Sequence, residues 1–226
     1  MFGYSGPTPY DVNFRLLGTP VRVSPWFWVM TLVLGTRGMG RDLDMGLVSL
    51  WVGAVFVSIL LHEFGHVFAA KMCHWRVNEV VLHQFGGYAS LQPPYGSRLA
   101  INDILISLAG PCAGFLLFGG IKLLDQIAPG IFFELGNYGL MFVNYLLFIN
   151  LYWGLFNLLP IFPLDGGQAT RTFLMALFRG GGKLAAIISI VAAAGMGLYL
   201  LQDQSLYMAI MMLLFVFINL QMLSQQ

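Results

Sequence analysis

Charge is scarce in this sequence: Lys, Arg, Asp and Glu together make up 9% of the 226 residues, and the formal net charge is +1. So few charges do not solvate a soluble domain of this size, and they build no basic surface that would hold nucleic acid. No nucleic-acid partner is expected. Cysteine is scarcer still. Cys73 and Cys112 are too few and too far apart for a disulfide framework and form no C-x-x-C pair, so both read as free thiols. Met1 to Asn13 contain no Lys or Arg and lead into no short apolar core with a small-residue cleavage site, so no removable signal peptide is expected. Internal repeats, low-complexity tracts and appended soluble domains are also missing, and residues 1–226 read as one unit.

Apolar residues fill the space that charge leaves. They account for 58% of the chain, and the mean hydropathy is +0.77, values that make a lipid bilayer the expected solvent and partner. A membrane-crossing helix needs about 20 mostly apolar residues. Runs of that kind predict six spans: Ser24 to Thr36, which is marginal and starts as early as Val21, Met45 to Lys71, Ile101 to Leu124, Tyr138 to Pro160, Leu184 to Gln202, and Ser205 to Leu223. The last two are separated only by Asp203 and Gln204, so they must run antiparallel. Alternate loops differ in basic charge: one side collects Arg15, Arg22, Lys71, Arg76, Arg98, Arg171, Arg179 and Lys183, the other only Arg37, Arg41 and Lys122. The positive-inside rule then puts both termini in the cytoplasm.

Two stretches oppose helix. Val77 to Leu91 is rich in β-branched and aromatic residues around Gly86-Gly87, the composition of a hairpin. Phe14 to Val23, with Gly18 and Pro20, also reads as extended. The expected fold class is therefore an all-α polytopic membrane protein with a small β-sheet or hairpin at the cytoplasmic membrane face.

The second span contains His62-Glu63-Phe64-Gly65-His66, an H-E-x-x-H pattern. Residues four apart share a helix face, so both imidazoles reach one zinc ion while Glu63 stays close enough to serve as general base. Two histidines and a carboxylate within five residues of a lipid-embedded helix are costly for packing alone. Zinc in a hydrolase usually takes three protein ligands and keeps a fourth position for water. Asp165 is the distinctive acidic candidate for the third. It follows Asn157-Leu-Leu-Pro160-Ile-Phe-Pro163-Leu, where two prolines end the fourth span, and precedes Gly166-Gly167, which permit a sharp turn. A broken helix at membrane depth is tolerated only against protein or a water-filled cavity. His62 precedes Lys71, at the cytoplasmic end of its span, by nine residues or about 14 Å, and Asp165 follows a helix that exits on the same side. His74 and His83 read as loop histidines outside the site, and Asn144 and Asn150 as interhelical hydrogen-bonding groups.

These residues resemble the site-2 protease family of intramembrane zinc metalloproteases. The likeness rests on H-E-x-x-H in the second of six spans, N-x-x-P-x-x-P-x-D-G-G after the fourth, the Phe85-Gly86-Gly87-Tyr88 turn, and the Gly18-Thr-Pro-Val-Arg22 approach to the first span. It implies a single membrane-embedded metalloprotease domain with core spans near 45–71, 101–124 and 138–160. It further implies His62, His66 and Asp165 as zinc ligands, Glu63 as general base, and Asn157 near the active site, holding substrate or the developing oxyanion. The Ala109-Gly-Pro-Cys-Ala-Gly114 stretch departs from the family's A-G-P-x-x-N, with Gly114 in place of Asn, and reads as close helix packing.

The activity expected from this reading is hydrolysis of peptide bonds in transmembrane segments of other proteins. An unwound substrate segment would be captured as an added strand near Gly86 and Gly87. Two alternatives stand beside it: a zinc-binding membrane protein without peptidase activity, such as a metal carrier or a degenerate scaffold, against which the gathering of ligands at one depth and the presence of Glu63 argue, and a hydrolase of lipid or another non-peptide bond, which zinc chemistry alone does not exclude.

Overall fold

The computed structural model describes residues 6–37, 44–95, 99–202 and 206–225. Two strands open the chain, β1 (Val12–Leu16) and β2 (Thr19–Val23), joined at Leu17 and Gly18 with φ of 48° and 76°. Two successive positive φ values give the tight reversal that matches strand twist. Helices α1 (Pro25–Arg37) and α2 (Met45–Met72) follow, then the hairpin β3 (Arg76–His83) and β4 (Gly86–Gln92). The remainder is helical: α3 (Ala100–Ile127), a short 3-10 turn, α4 (Gly136–Asn157), α5 (Asp165–Leu177), α6 (Gly181–Gln202) and α7 (Leu206–Ser224).

Five of these helices, α2, α3, α4, α6 and α7, are long and apolar enough to cross a membrane. The stretch expected to be the first span is α1, only 13 residues, or about 20 Å against a hydrocarbon core of about 30 Å. It does not lengthen backwards to Val21 because β2 occupies those residues through Val23. The six-span expectation therefore reduces, among the described residues, to five long helices and one short apolar one. The turn at Asp203 and Gln204 lies outside the described residues.

Both extended stretches enter one four-stranded sheet in the order β1-β2-β3-β4. The outer pairs are antiparallel hairpins, while β2 pairs β3 in parallel, Val21 opposite Val80 and Val23 opposite Leu82, with α1 and α2 as the crossover. One face packs Val21, Val23, Val80 and Leu82 onto Phe27 of α1 and Ile59 and Val67 of α2. Lys71 near the end of α2 donates to the Leu17 carbonyl at 3.3 Å and to Thr19 Oγ1 at 3.1 Å, tying that end to the first hairpin. Arg22, buried in the sheet, is held by Asp11 at 3.1 Å and Glu79 at 3.4 Å.

Small residues let α2 and α3 meet at their backbones. A Cβ on Gly65 would strike the Ala109 carbonyl and come within 2.9 Å of the Ala113 methyl, close approach of the kind that membrane helices use in place of a hydrophobic driving force. Asn150 of α4 donates to Ser58 Oγ of α2 at 2.8 Å, an interhelical hydrogen bond of the expected kind. After α4 the chain breaks from Leu158 to Leu164, and a second core forms where Ile161 and Leu164 pack on Ala193 of α6 and on Met212, Phe215 and Ile218 of α7.

Candidate metal centre

Helix periodicity puts His62 and His66 one turn apart on α2, both buried and facing α3 and the start of α5. Their Nε2 atoms lie 3.3 Å from each other. Asp165 Oδ2 lies 3.0 Å from Nε2 of His62 and 3.4 Å from Nε2 of His66. Asp165 is the first residue of α5, whose N-cap position is held by Leu164. The Asp165 carboxylate is turned to the imidazoles. Gly166 and Gly167 make that turn possible, because a Cβ on either would collide with the backbone of Leu158 to Phe162.

The donor set fits zinc. Tetrahedral zinc with bonds of about 2.0–2.1 Å needs neighbouring ligand atoms about 3.3 Å apart, and the three edges here run from 3.0 to 3.4 Å. The His66 Nδ1–H donates to the Ile106 carbonyl at 2.6 Å, which leaves the lone pair on Nε2, beside the other two candidate ligand atoms. Converging lone pairs in a buried place repel unless a cation sits among them. Gly110 of α3 closes the other side: a Cβ there would overlap the His66 ring and stand 2.7 Å from Nε2 of His62.

Glu63 is buried beside the pair, and its carboxylate joins the two imidazoles in a group whose ligand atoms lie within 4.8 Å of one another. Strand β4 lies directly over it. A Cβ on Gly87 would meet Glu63 Cγ and Oε1 at 2.7 Å, and the backbone N–H of Ala89 faces the carboxylate. Among the described residues no further strand pairs with β4, and its outer edge runs along the candidate base. All four residues open on a cavity of about 270 Å³ that Asn157, Trp153 and Phe215 also line. Asn157 is buried and donates from Nδ2 to the Trp153 carbonyl at 2.9 Å. Gly86 has φ of +117°, and a Cβ on it would stand 2.7 Å from the Trp153 ring. Every residue named in advance as a site residue therefore borders this one cavity or packs on its wall.

His83 corrects the sequence reading. It is not a loop histidine: it ends β3, is buried, and lines the cavity. Its Nδ1 accepts from the Phe85 N–H at 3.3 Å. Burial, reinforced by the Arg22 guanidinium, lowers its pKa to about 4, so the ring is neutral near pH 7. His74 does sit outside, exposed at the end of α2 with φ of 61°.

The sequence matches Peptidase family M50 over residues 51–124 and 127–202. The chain belongs to that family. A zinc metalloprotease of Methanocaldococcus jannaschii is 29% identical over 164 residues, covering 71% of this chain and 44% of the relative. Stage IV sporulation protein FB of Bacillus subtilis is 30% identical over 154 residues, covering 66% of this chain and 45% of the relative. The chain spans about half the length of the curated relatives it matches. The solved structure of the site-2 protease from Methanocaldococcus jannaschii superposes with a TM-score of 0.64 at 27% identity, covering 95% of each chain.

Within this M50 member the departure at Gly114 has a physical counterpart. A Cβ there would touch the backbone oxygen and Oδ1 of Asn150, both at 3.3 Å. An asparagine reaching across from α4 occupies the place beside Gly114.

Proposed function

We propose that this M50 chain is an intramembrane zinc metallopeptidase that hydrolyses peptide bonds within or near transmembrane segments of other membrane proteins. The observation that carries the reading is the triangle of His62, His66 and Asp165, with Glu63 against an open strand edge in the same cavity. In this reading the chain is one membrane-embedded domain of the cytoplasmic membrane, with both termini and the sheet on the cytoplasmic side, as the distribution of Lys and Arg suggests.

His62, His66 and Asp165 would hold the ion. Bound zinc would supply Lewis acidity toward the scissile carbonyl and toward water. Glu63 takes a proton from water and returns it to the leaving amine nitrogen, the two halves of general acid–base catalysis. The Asp165 carboxylate offsets part of the ion's charge. Asn157 offers an amide in the cavity wall for the substrate carbonyl. A substrate helix hides its carbonyls in internal hydrogen bonds, so it must unwind locally before cleavage. The open edge of β4 gives the unwound segment replacement partners, with Gly86 and Gly87 keeping that edge close to Glu63 and Trp153.

The test uses purified protein in detergent micelles with a single-span peptide substrate, with and without a zinc chelator. Cleavage that stops on zinc removal and returns on zinc addition is expected. E63Q should keep one zinc per chain while turnover falls on the order of 10²–10⁴-fold. Undiminished cleavage by E63Q, or by protein shown to be free of zinc, would refute the assignment.

A further inference from the structure

Asp165 owes its position to a stretch of chain that lacks regular hydrogen bonding. From Leu158 to Leu164 the helical ladder is interrupted, and Pro160 and Pro163 contribute no N–H. At membrane depth each unpaired backbone group is expensive, so the partners of this break matter. Local turns account for part of it: Leu164 N–H donates to the Ile161 carbonyl at 2.8 Å, and Gln168 Nε2 donates to the Pro163 carbonyl at 3.1 Å.

The rest comes from two buried side chains on helices that carry none of the candidate metal ligands. Ser189 of α6 accepts from the Phe162 N–H at 3.1 Å and donates to the Pro160 carbonyl at 3.2 Å, so one hydroxyl serves both sides of the break. Asn219 of α7 donates from Nδ2 to the Phe162 carbonyl at 2.7 Å and to the Phe215 carbonyl of its own helix at 2.7 Å. Both side chains are almost fully buried, at 2% and 1% exposure. Buried polar groups on apolar helices are retained where they have a partner to hold. The partner in both cases is the peptide around Phe162, three residues before Asp165.

We propose that Ser189 and Asn219 are positioning residues for Asp165: they clamp the break between α4 and α5 and thereby fix the third metal ligand. The inference rests on the reading of Asp165 as a ligand, and it makes α6 and α7 part of the metal centre's support. Truncating either side chain leaves carbonyls of the break unpaired. The segment then shifts to find other partners, and a carboxylate three residues away moves off the 3.0–3.4 Å triangle.

The test compares the full chain with S189A, S189T and N219A in detergent. Cobalt(II) alone serves as the metal probe, followed by its visible absorption bands and by competition with a chelator; cleavage kinetics run in parallel. In S189A and N219A, cobalt affinity is expected to fall on the order of 10-fold, with altered bands, and kcat to fall with KM unchanged. S189T, which keeps the hydroxyl, should recover affinity and bands. Folded S189A whose cobalt affinity and bands match the parent would overturn the proposal. If N219A fails to fold, the S189A and S189T pair decides alone. If the parent binds cobalt yet cleaves no peptide, the peptidase reading fails while the clamp is still measured through the metal.

Discussion

Gly110 stands where a methyl group would strike both imidazoles, and Gly87 where one would strike Glu63 first. On the proposed assignments, the two separate metal binding from proton transfer. G110A is expected to lose zinc, with affinity falling on the order of 100-fold, as read by metal analysis after dialysis. G87A is expected to keep zinc while turnover falls on the order of 100-fold through misplacement of the carboxylate; equal zinc loss in both variants would contradict this separation. His83 supports a third expectation. Its folded pKa of about 4 lies below its ordinary value of 6.5, so the unfolded chain takes up a proton first as pH falls. The stability gained by burying neutral His83 is complete above pH 6.5 and is lost progressively towards pH 4. Between pH 6.5 and 5 the loss is about 2 kcal/mol, and H83L should abolish that part of the pH dependence in denaturant titrations. At this scale the sequence pointed to the candidate ligands and not to their neighbours. His62, Glu63 and His66 are legible because helical spacing is local, and Asp165 because prolines and glycines mark the break. His83 and the steric roles of Gly87 and Gly110 depend on strand register and on which helix lies opposite, which no local pattern encodes.

Among the elements, the sheet has two outer strands, and they differ in what they face. β1 lies on the far edge, whereas β4 borders the cavity and Glu63. If substrate adds to β4, a photo-crosslinking amino acid at Leu91 should capture a substrate helix in the E63Q background, and one at Asn13 of β1 should not. Substitution of Gly86 and Gly87 by valine is no clean test of strand capture. Valine at Gly86 would be strained at φ +117° and would hit Trp153, while valine at Gly87 would hit Glu63, so lost cleavage would report collision as much as capture. The β3–β4 hairpin was legible from Gly86-Gly87 flanked by β-branched residues, and the β1–β2 stretch only as extended chain. Their union through the parallel β2–β3 pair was not, because it joins residues about 60 positions apart. The short α1 shows the complementary limit: hydropathy sees an apolar run but not that the residues before it belong to a strand.

For the whole molecule, the charge pattern and the helix count make a joint prediction. With Cys73 and Cys112 replaced by serine, single cysteines introduced beside Lys71 and Arg179 should react with an impermeant thiol reagent applied from the cytoplasmic side, and one beside Glu134 only from the other side. Reaction of the Lys71 and Arg179 sites from opposite sides would break the topology. The candidate centre draws on α2 for two ligands and the base, on α5 for the third ligand, on α3 for the Ile106 carbonyl, and on β4 for its cover. The outer edge of β4 offers a guest little beyond peptide groups, and these are common to every polypeptide. A protease that holds its guests in this way would sort membrane segments by how readily they unravel, and two targets cut at equivalent depths need share no motif at all.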